Sequence, residues 1–366
     1  MKFIIKREEL LPALQIVNGV IERRQTLPIL SNLMLSAKKD SLILTGTDME
    51  VELITTLNQA LGADGETTLP ARKLLDICRA LPENSDITIN VNGDKAQVTS
   101  GKSRFTLSTL PAQEYPLVEE TEAIVEFEIK QNTFKSLLDK TSFAMAQQDV
   151  RYYLNGLLLE LDGKKLRAVA TDGHRLALCD TDLETNLTEK VQVIVPRKGV
   201  LELIRLSQDK DENIKVKIST NHITISWSDL HFTSKLIDGK FPDYTRVIPE
   251  EGNAPILADR EQLKQSLTRA SILSNEKYRG VRILLEKNKL RALAHNPEQE
   301  EAEEELEVNY DGSDMEIGFN VSYLLDALGI IKTNQVILTV SDPNSSCLVL
   351  PEGESRCKYV VMPMRL

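Results

Sequence analysis

The segment Thr171-Asp172-Gly173-His174-Arg175 contains an aspartate and a histidine two positions apart, a pair that could act in acid–base catalysis. No serine elbow of the form G-x-S-x-G and no cysteine motif accompanies this pair. A related segment later in the chain has Asn296 in the place of Asp172. We therefore interpret the segment as a turn whose histidine faces a pocket, with acid–base catalysis as the alternative.

A second segment, Gly101-Lys102-Ser103, resembles a phosphate-binding loop. That loop needs a glycine five residues earlier, where this chain has Ala96, and the preceding residues have the character of a strand. The four histidines also lack the spacing of a metal site, so we expect no metal and no other cofactor. These histidines are His174, His222, His231 and His295.

The cysteines show no motif for redox chemistry or metal binding. Because no C-x-x-C pair occurs, we expect four buried, reduced thiols in a cytoplasmic protein. They are Cys78, Cys179, Cys347 and Cys357. No apolar run reaches the roughly 18–20 residues that a membrane span needs. The first six residues already contain two lysines, so no signal peptide is expected.

The composition fits a chain with full hydrophobic cores, because 41% of its 366 residues are apolar. Its length allows two or three domains. The net charge of −11 argues against nucleic acid as a partner, since phosphate binding usually requires a basic domain. This objection is answered only if the basic residues gather on one surface.

An internal repeat of about 122–129 residues organises the chain. Each copy has a strand, a polar turn and a second strand, which predicts a hairpin. The hairpins lie in Ser31–Glu52, Gly156–Leu176 and Gly280–Glu301. Asp48, Asp172 and Asn296 occupy matching positions at intervals of 124 residues.

Two helices are predicted in each copy, the first from apolar residues spaced near 3.6 and the second from a start signal. The first helices open near Leu10, Phe134 and Leu263. The second helices begin after Pro70, Pro196 and Asn320. A late strand follows at Arg104-Phe105, His231-Phe232 and Lys358-Tyr359.

The repeat predicts an α+β chain of three similar domains, each with two helices on antiparallel sheet. We place the domains at 1–122, 123–250 and 251–366. The proline-containing stretches Thr109–Thr121 and Gly239–Pro255 are the predicted linkers.

Basic residues concentrate on the predicted helices, whereas the acidic residues cluster in loops and strands, most densely between Glu298 and Glu307. The second helices of the first two copies carry Arg72, Lys73, Arg79, Arg197, Lys198 and Arg205. These could be ordinary solvated helix faces. Alternatively, they form a basic surface on an acidic body, which would hold duplex DNA by its phosphates without reading bases.

Several longer motifs resemble the bacterial DNA polymerase III sliding clamp family, the β subunit. They are Leu27-Pro28-Ile29-Leu30, Arg151–Gly156, Thr171–Leu176, Phe241-Pro242-Asp243-Tyr244, Ile272–Lys277, Asn296–Glu304 and the ending Tyr359–Leu366. The resemblance covers the chain from Met1 to Leu366. It implies a non-catalytic processivity factor of the bacterial cytoplasm and nucleoid that encircles duplex DNA and tethers other proteins to it.

The resemblance implies a head-to-tail homodimer, in which six similar domains close a ring with helices lining the hole. The implied contact places Phe105 and Leu107 against Ile272 and Leu273. Lys102 and Arg104 would meet the acidic residues of the partner chain, and their charges are complementary in this sequence. The acidic residues are Glu298, Glu300, Glu301, Glu303 and Glu304. Without the resemblance, this glutamate run would be interpreted as a solvated acidic strand or loop.

The family's partner site is a groove between the second and third domains. It captures short peptides from the DNA polymerase III alpha subunit, the clamp loader delta subunit, and other DNA polymerases and repair proteins. Its deeper half would be formed by Leu154, Thr171, Gly173, His174, Arg175, Leu176, Pro242, Arg246, Val247, Val360 and Met362. Its shallower half would be formed by Tyr153, Asn320, Tyr323, Ser346, Met364 and Arg365. Methionines suit a groove that accepts varied apolar side chains, although Asn344 stands where we expect an apolar residue.

For DNA, the resemblance points to one loop, to one residue after the first helix, and to the second helices. The residues are Arg24, Arg72, Lys73, Gln148, Arg151, Tyr152, Tyr153, Leu154, Arg197 and Lys198. A sequence-specific DNA-binding protein or an inert scaffold is the remaining alternative. The absence of a recognition-helix or zinc motif counts against specific base readout.

Overall fold

A computed structural model describes residues 1–22, 27–59, 64–119, 121–185, 189–249 and 254–365. These residues form six α-helices, two in each copy of the repeat. The helices are α1 Arg7–Val17, α2 Ala71–Ala80, α3 Gln131–Thr141, α4 Arg197–Leu206, α5 Arg260–Ala270 and α6 Val321–Ile330. All six predicted helices are therefore confirmed. None of the described helices has the length and apolar character needed to cross a membrane.

The described residues also form 24 strands, eight in each copy. In the first copy they are β1 Lys2–Lys6, β2 Asn32–Lys38, β3 Ser41–Thr47, β4 Val51–Asn58, β5 Gly65–Pro70, β6 Asp86–Asn92, β7 Lys95–Ser100 and β8 Ser103–Ser108. In the second they are β9 Val125–Lys130, β10 Gly156–Asp162, β11 Lys165–Thr171, β12 Arg175–Asp182, β13 Val191–Pro196, β14 Asn213–Ile218, β15 His222–Trp227 and β16 Leu230–Lys235. In the third they are β17 Ile256–Asp259, β18 Gly280–Glu286, β19 Lys289–His295, β20 Glu301–Glu307, β21 Met315–Asn320, β22 Gln335–Thr339, β23 Cys347–Pro351 and β24 Cys357–Val361.

The strands form four antiparallel sheets, and two of these sheets join neighbouring copies of the repeat. One eight-stranded sheet has the order β5-β2-β3-β4-β16-β15-β14-β9, so β4 of the first copy pairs with β16 of the second. The other has the order β13-β10-β11-β12-β24-β23-β22-β17, so β12 of the second copy pairs with β24 of the third. We call the β4–β16 contact the first junction and the β12–β24 contact the second junction.

The other two sheets have four strands each, and their outer strands pair with other described strands on one side only. Their orders are β1-β6-β7-β8 and β20-β19-β18-β21. The chain divides into two compact units, Met1–Asn132 with Leu201–Leu236, and Thr133–Val200 with Ile237–Leu366. The first junction lies in the first unit and the second junction in the second.

The helices bury the apolar side chains that the pattern selects. In α2, Leu74, Leu75 and Cys78 are buried while Arg72 and Lys73 are exposed. Asp259 and Asn320 cap α5 and α6 by accepting backbone N–H groups of the first turn, which would otherwise lack partners. In the first unit, α1 contacts α2 and β4. In the second unit, α5 contacts α6 and β20.

The expectation of four reduced thiols is wrong for one pair. Cys179 of β12 and Cys357 of β24 form a disulfide, because the register of the second junction places them directly opposite each other. Their separation of 178 residues gave no local signal in the sequence. Cys78 and Cys347 are free and buried, and burial raises the pKa of each thiol to about 12.

Candidate functional site

The second junction brings the core of the predicted groove together. Leu176 pairs with Val360, and Arg175 pairs with Val361. One residue further along, the backbone N–H of Met362 donates to the carbonyl oxygen of His174 at 2.9 Å. Strand register therefore connects the Thr171–Leu176 segment with the C-terminal residues, which are far apart in the sequence.

Asp172 has a structural role in the turn. Its Oδ1 accepts the backbone N–H groups of His174 at 2.9 Å and Arg175 at 3.0 Å. Asp48 accepts the N–H groups of two following residues in the same way at the first junction. This geometry confirms the interpretation of the segment as a turn and explains why aspartate recurs in the first two copies.

Gly173 allows this turn to pass close to Arg151. Its φ of +88° lies in a region that side chains rarely adopt, and a Cβ there would lie 2.9 Å from the Arg151 guanidinium. The exposed ring of His174 stacks on Tyr323 of α6, with 6.3 Å between ring centroids. The turn thus presents its histidine beside the first turn of α6.

Arg175 acts as a clamp rather than as a free donor at the rim of the groove. Its guanidinium pairs with Asp172 and Asp326 and donates to the carbonyl oxygen of Phe143. The guanidinium carbon also lies 4.6 Å from the ring centroid of Tyr323. Burial raises the pKa of Tyr323, whose ring contributes to the same packed wall.

A cluster of buried apolar side chains lies where the predicted groove would have its floor. It consists of Leu158, Val169, Leu176, Leu178, Ile194, Phe241, Tyr244, Leu348 and Val360, with Tyr153, Ile237, Ile248 and Leu350 packed against it. Tyr244 donates its hydroxyl to Glu160 at 2.7 Å, and burial raises the pKa of this phenol to about 12. The neighbouring Leu154 is also buried.

The remaining groove candidates differ in exposure. Pro242, Arg246 and Val247 are exposed, and Arg246 pairs with Asp243 at 2.9 Å. Tyr153, Thr171, Ser346, Met362 and Met364 are half-buried, while Arg365 is exposed and Leu366 lies outside the described residues. Asn320 caps α6, and its Oδ1 already accepts the backbone N–H of Ser322. Asn344 is exposed in a turn and donates its backbone N–H to Asp342.

The DNA candidates of the second unit lie on a fixed loop. The side-chain amide of Asn155 accepts the backbone N–H of Asp149 and donates to the backbone carbonyl oxygen of Asp149. The backbone carbonyl oxygen of Asn155 accepts the N–H of Arg197. Gln148, Arg151 and Tyr152 are exposed on this loop. Hydrogen bonds from Arg151 lower the pKa of Asp149 to about 2, so this aspartate offsets part of the positive charge of Arg151.

The helix-borne DNA candidates are accessible. Arg72 and Lys73 are exposed in the first turn of α2, and no acidic partner is found for them among the described residues. Arg197 and Lys198 are half-exposed in the first turn of α4. Arg24 lies outside the described residues.

The predicted interface residues lie on the outer strands β8 and β20, in the turns before these strands, and in the turn after α5. In β8 and the turn before it, Lys102 and Arg104 are exposed, Phe105 is half-buried and Leu107 is buried. In the second unit, Ile272 is 74% exposed and Leu273 is half-buried. Glu298, Glu300, Glu301 and Glu303 are exposed and Glu304 is half-buried. Some of these carboxylates have partners within the chain, since Glu304 pairs with Arg269 and Glu303 with Arg291.

Family models for the N-terminal, central and C-terminal domains of the DNA polymerase III beta subunit match residues 1–119, 128–243 and 245–365. The chain belongs to the DNA polymerase III beta subunit family. It is 54% identical to the beta sliding clamp of Pseudomonas aeruginosa, with both chains covered completely. The crystal structure of the beta subunit from that organism matches with a TM-score of 0.98 over both whole chains. A P. aeruginosa clamp bound to griselimycin matches with a TM-score of 0.96 and 54% identity, again over both whole chains.

Membership in the beta-subunit family confirms the α+β fold of three similar domains and the sliding-clamp function of a non-catalytic polymerase subunit. Nothing in the sequence indicated the part played by Phe143 and Asp326, which hold Arg175 in this family member. Asp326 lies 151 residues from Arg175, and no periodic pattern connects them. The missed Asp149 follows directly after Gln148 and was detectable only as an acidic neighbour of Arg151.

Proposed function

We propose that two copies of this chain close head to tail into a ring that encircles duplex DNA, and that the three domains span 1–122, 123–250 and 251–366. The observation that carries this proposal is the pair of open edges. Within the chain, two sheets already continue from one copy of the repeat into the next. Edge strands β8 and β20 are the equivalents of the joining strands, and unpaired edges tend to pair.

The repeat supplies a register for this third junction. Glu52 pairs with Thr233 at the first junction, and Glu301 and Thr106 occupy the corresponding places in β20 and β8. Antiparallel pairing then puts Glu303 opposite Arg104 of the partner chain. Opposite charges facing each other across two strands stabilise the pairing and disfavour a shifted register.

Apolar residues supply the other half of the proposed contact. Ile272 and Leu273 follow α5, and their exposed surface suits contact with Phe105 and Leu107 of β8. Ile272 is 74% exposed in the single chain. Its removal from water by a partner would lower the free energy of the dimer. A central apolar contact with a charged rim is the usual arrangement of a stable interface.

We propose that DNA is held through its phosphates. Arg72, Lys73, Arg197 and Lys198 lie in first turns of helices, where the positive end of the helix dipole adds to their charge. The loop residues Gln148, Arg151, Tyr152, Tyr153 and Leu154, together with Arg24, are the other proposed contacts. Contacts of this kind carry no sequence information and permit sliding, and the acidic body would repel DNA elsewhere.

The groove at the second junction is the proposed docking site for peptides of the polymerase alpha subunit, the clamp loader delta subunit, and other polymerases and repair proteins. Its apolar floor would take the hydrophobic side chains of such peptides. Pro242, Val247, Met362 and Met364 would form adaptable walls, and His174 and Tyr323 would supply a stacked aromatic face. The Arg175 clamp would hold the turn and α6 in position.

Retention on DNA tests the ring. The chain is loaded on a nicked circular plasmid by a clamp loader and ATP, and the DNA is isolated by gel filtration at 0.5 M salt, which screens phosphate contacts to within about 4 Å. We expect the protein to stay on the circle and to be lost after one restriction cut. Equal retention on circular and linear DNA would contradict the proposal.

A further inference from the structure

The first junction contains a polar cavity at the place where the second junction has its apolar groove. Leu176 pairs with Val360, and the corresponding pair in the first junction is Glu52 with Thr233. The neighbouring strands differ in the same way. In the second junction, Leu348 of β23 pairs with Val360, whereas in the first junction Thr224 of β15 pairs with Thr233. The places of three apolar side chains at the second junction are therefore taken by one carboxylate and two hydroxyl groups at the first junction.

The cavity has a volume of about 340 Å³ and lies entirely within the first unit. We call it the first-junction pocket, and its principal lining residues are Glu52, Val118, Lys217, His222, His231 and Thr233. A volume in this range suits a small organic group rather than a single water molecule. The pocket is not filled by any side chain of the described residues.

Glu52 is buried in this pocket without a cation beside it. Its side chain is 4% exposed, and its Oε2 accepts the backbone N–H of Val118 at 3.0 Å. Among the described residues, the backbone N–H of Val118 is the hydrogen-bond donor to this carboxylate, and no lysine, arginine or histidine forms an ion pair with it. Burial raises the pKa of Glu52. A buried carboxylate without a counter-charge is costly, and a bound cation would remove that cost.

His222 adds polar atoms without partners. Both of its ring nitrogens are buried, and neither makes a hydrogen bond with the described residues. Burial, followed by the charge of Lys235, lowers the pKa of His222, so that its neutral ring can accept a hydrogen bond at neutral pH. Orphaned polar atoms of this kind in a cavity indicate a missing partner.

The other charges around the pocket leave it receptive to a cation. Lys217 lies 3.7 Å from Glu126, which also pairs with Lys215, so its charge is partly offset. Glu119 at the rim is exposed and adds a second carboxylate. The wall between Glu52 and His222 offers the hydroxyls of Thr224 and Thr233, which lie 3.3 Å from each other.

We propose that the first-junction pocket binds a guanidinium group. A guanidinium presents several N–H donors in one plane, which matches a wall that offers a carboxylate, a ring nitrogen and hydroxyls. It is also more weakly hydrated than an ammonium ion, so it enters a partly closed cavity at lower cost. The group could belong to an arginine of a partner polypeptide or to a free small molecule. The pocket would hold it whether or not the chain closes a ring.

Histidine resonances of the full-length protein report on this site directly. The protein is labelled with [13C]histidine and titrated with ethylguanidinium, with N-ethylurea as a neutral probe of similar shape. We expect saturable shifts of the Cε1–H resonances of His222 and His231, with His295 as an unshifted reference. Binding of N-ethylurea should be at least about tenfold weaker, because it lacks the charge-assisted hydrogen bond to Glu52.

Substitution then assigns the shift to the carboxylate. Glu52→Gln keeps the shape and the bond from Val118, and it should weaken ethylguanidinium binding at least about tenfold. Glu305→Gln removes an exposed carboxylate that pairs with Lys289, and it should leave binding unchanged. Circular dichroism checks that both variants fold. If Glu52→Gln does not fold, the comparison of ethylguanidinium with N-ethylurea on the original protein still tests the proposal.

Two capped pentapeptides distinguish the sources of the group. Gly-Gly-Arg-Gly-Gly is compared with the same peptide carrying citrulline. Tighter binding of the arginine peptide than of ethylguanidinium assigns the pocket to a polypeptide partner, and weaker binding assigns it to a free small molecule. Equal shifts with ethylguanidinium and N-ethylurea, unchanged binding in Glu52→Gln, or no saturable shift would each overturn the proposal.

Discussion

The two junctions within the chain have equivalent strand pairing and opposite chemistry. In each, the strand after an aspartate-centred turn pairs with the last strand of the next copy. The pair Leu176–Val360 sits over an apolar cluster, whereas the pair Glu52–Thr233 lines a polar pocket. The comparison teaches that pairing of the strands builds the chain of domains, and that a few side chains on one sheet face decide what each junction can bind.

The junctions also differ in covalent linkage. Cys179 and Cys357 cross-link the second junction, and the corresponding residues of the first junction are Thr55 and Leu230. The disulfide therefore cross-links the second copy of the repeat to the third. At the first junction, the described residues join the strands through the ladder of backbone hydrogen bonds and through side-chain contacts, without a cross-link.

The largest expected effect comes from giving the second junction the chemistry of the first. Leu176→Glu would place a carboxylate in an apolar cluster without a cation, at a cost of about 3–5 kcal/mol in the free energy of unfolding. It should also weaken capture of polymerase-tail peptides by at least about a hundredfold, since the floor of the groove would become polar. Urea unfolding and fluorescence titration measure the two effects. Leu176→Met is the matched control, and a stable, peptide-binding Leu176→Glu protein would break the comparison.

The cross-link gives the next largest effect. Removing the disulfide with Cys179→Ser and Cys357→Ser should cost about 2–4 kcal/mol, because the cross-link restricts a long loop of the unfolded chain. Hydrogen exchange followed by mass spectrometry should show faster exchange in β12 and β24 and unchanged exchange in β4 and β16. Equal protection of the second junction with and without the cysteines would mean that the disulfide contributes nothing to it.

The proposed junction between chains should behave as a weaker version of those within the chain. Replacing Ile272 and Leu273 by alanine should raise the dissociation constant of the dimer by about a hundredfold, equivalent to about 2.7 kcal/mol, because the apolar contact is lost. Light scattering over a dilution series measures the change. Ile4→Ala is the control, since Ile4 is also exposed but lies outside the proposed contact. A dimer that persists in the double variant would exclude this contact.

The smallest effect concerns Glu52 and pH. Because burial raises its pKa in the folded chain, the protonated form is favoured by folding, and stability is lost as the pH rises through this pKa. Glu52→Gln should therefore be more stable than the original chain by about 1 kcal/mol at pH 7, with no difference below the ordinary glutamate pKa of about 4.3. The same pocket contains other charged or titratable residues, namely His222, His231, Lys217 and Glu119. Thermal unfolding of the original chain and of Glu52→Gln is therefore compared at each pH, so that the effects of these other residues cancel. A Gln variant that is less stable at pH 7 would contradict the buried, unpaired carboxylate.

The dependence of guanidinium binding on pH has the same origin. A cation prefers the ionised carboxylate, so affinity should rise over the pH range in which Glu52, whose pKa burial raises, loses its proton. Affinity that falls over this range would contradict the role of Glu52.

The sequence predicted the features that depend on local pattern. The repeat, six helices and hairpins follow from apolar spacing and start signals. The turn at Asp172 follows from the missing catalytic motifs and from Asn296 in its place in the third copy. Contacts between distant residues had no such signal. The disulfide needs the register of β12 with β24, and the Arg175 clamp needs Asp326 to face it from α6. The polarity of the first-junction pocket emerges only when Glu52 and His222 are placed on one sheet face.

Sealing the ring on DNA tests the central claim most directly. Ser103 and Glu304 occupy the places of Cys357 and Cys179 in the proposed third junction, so Ser103→Cys with Glu304→Cys should form a disulfide between chains. The variant is loaded on a nicked circular plasmid, oxidised and then denatured in detergent. The account predicts that the protein stays linked to the circle in detergent and is released by one restriction cut. If the protein is lost from the uncut circle although both contacts between the two chains are fully cross-linked, the chains do not form a ring around DNA.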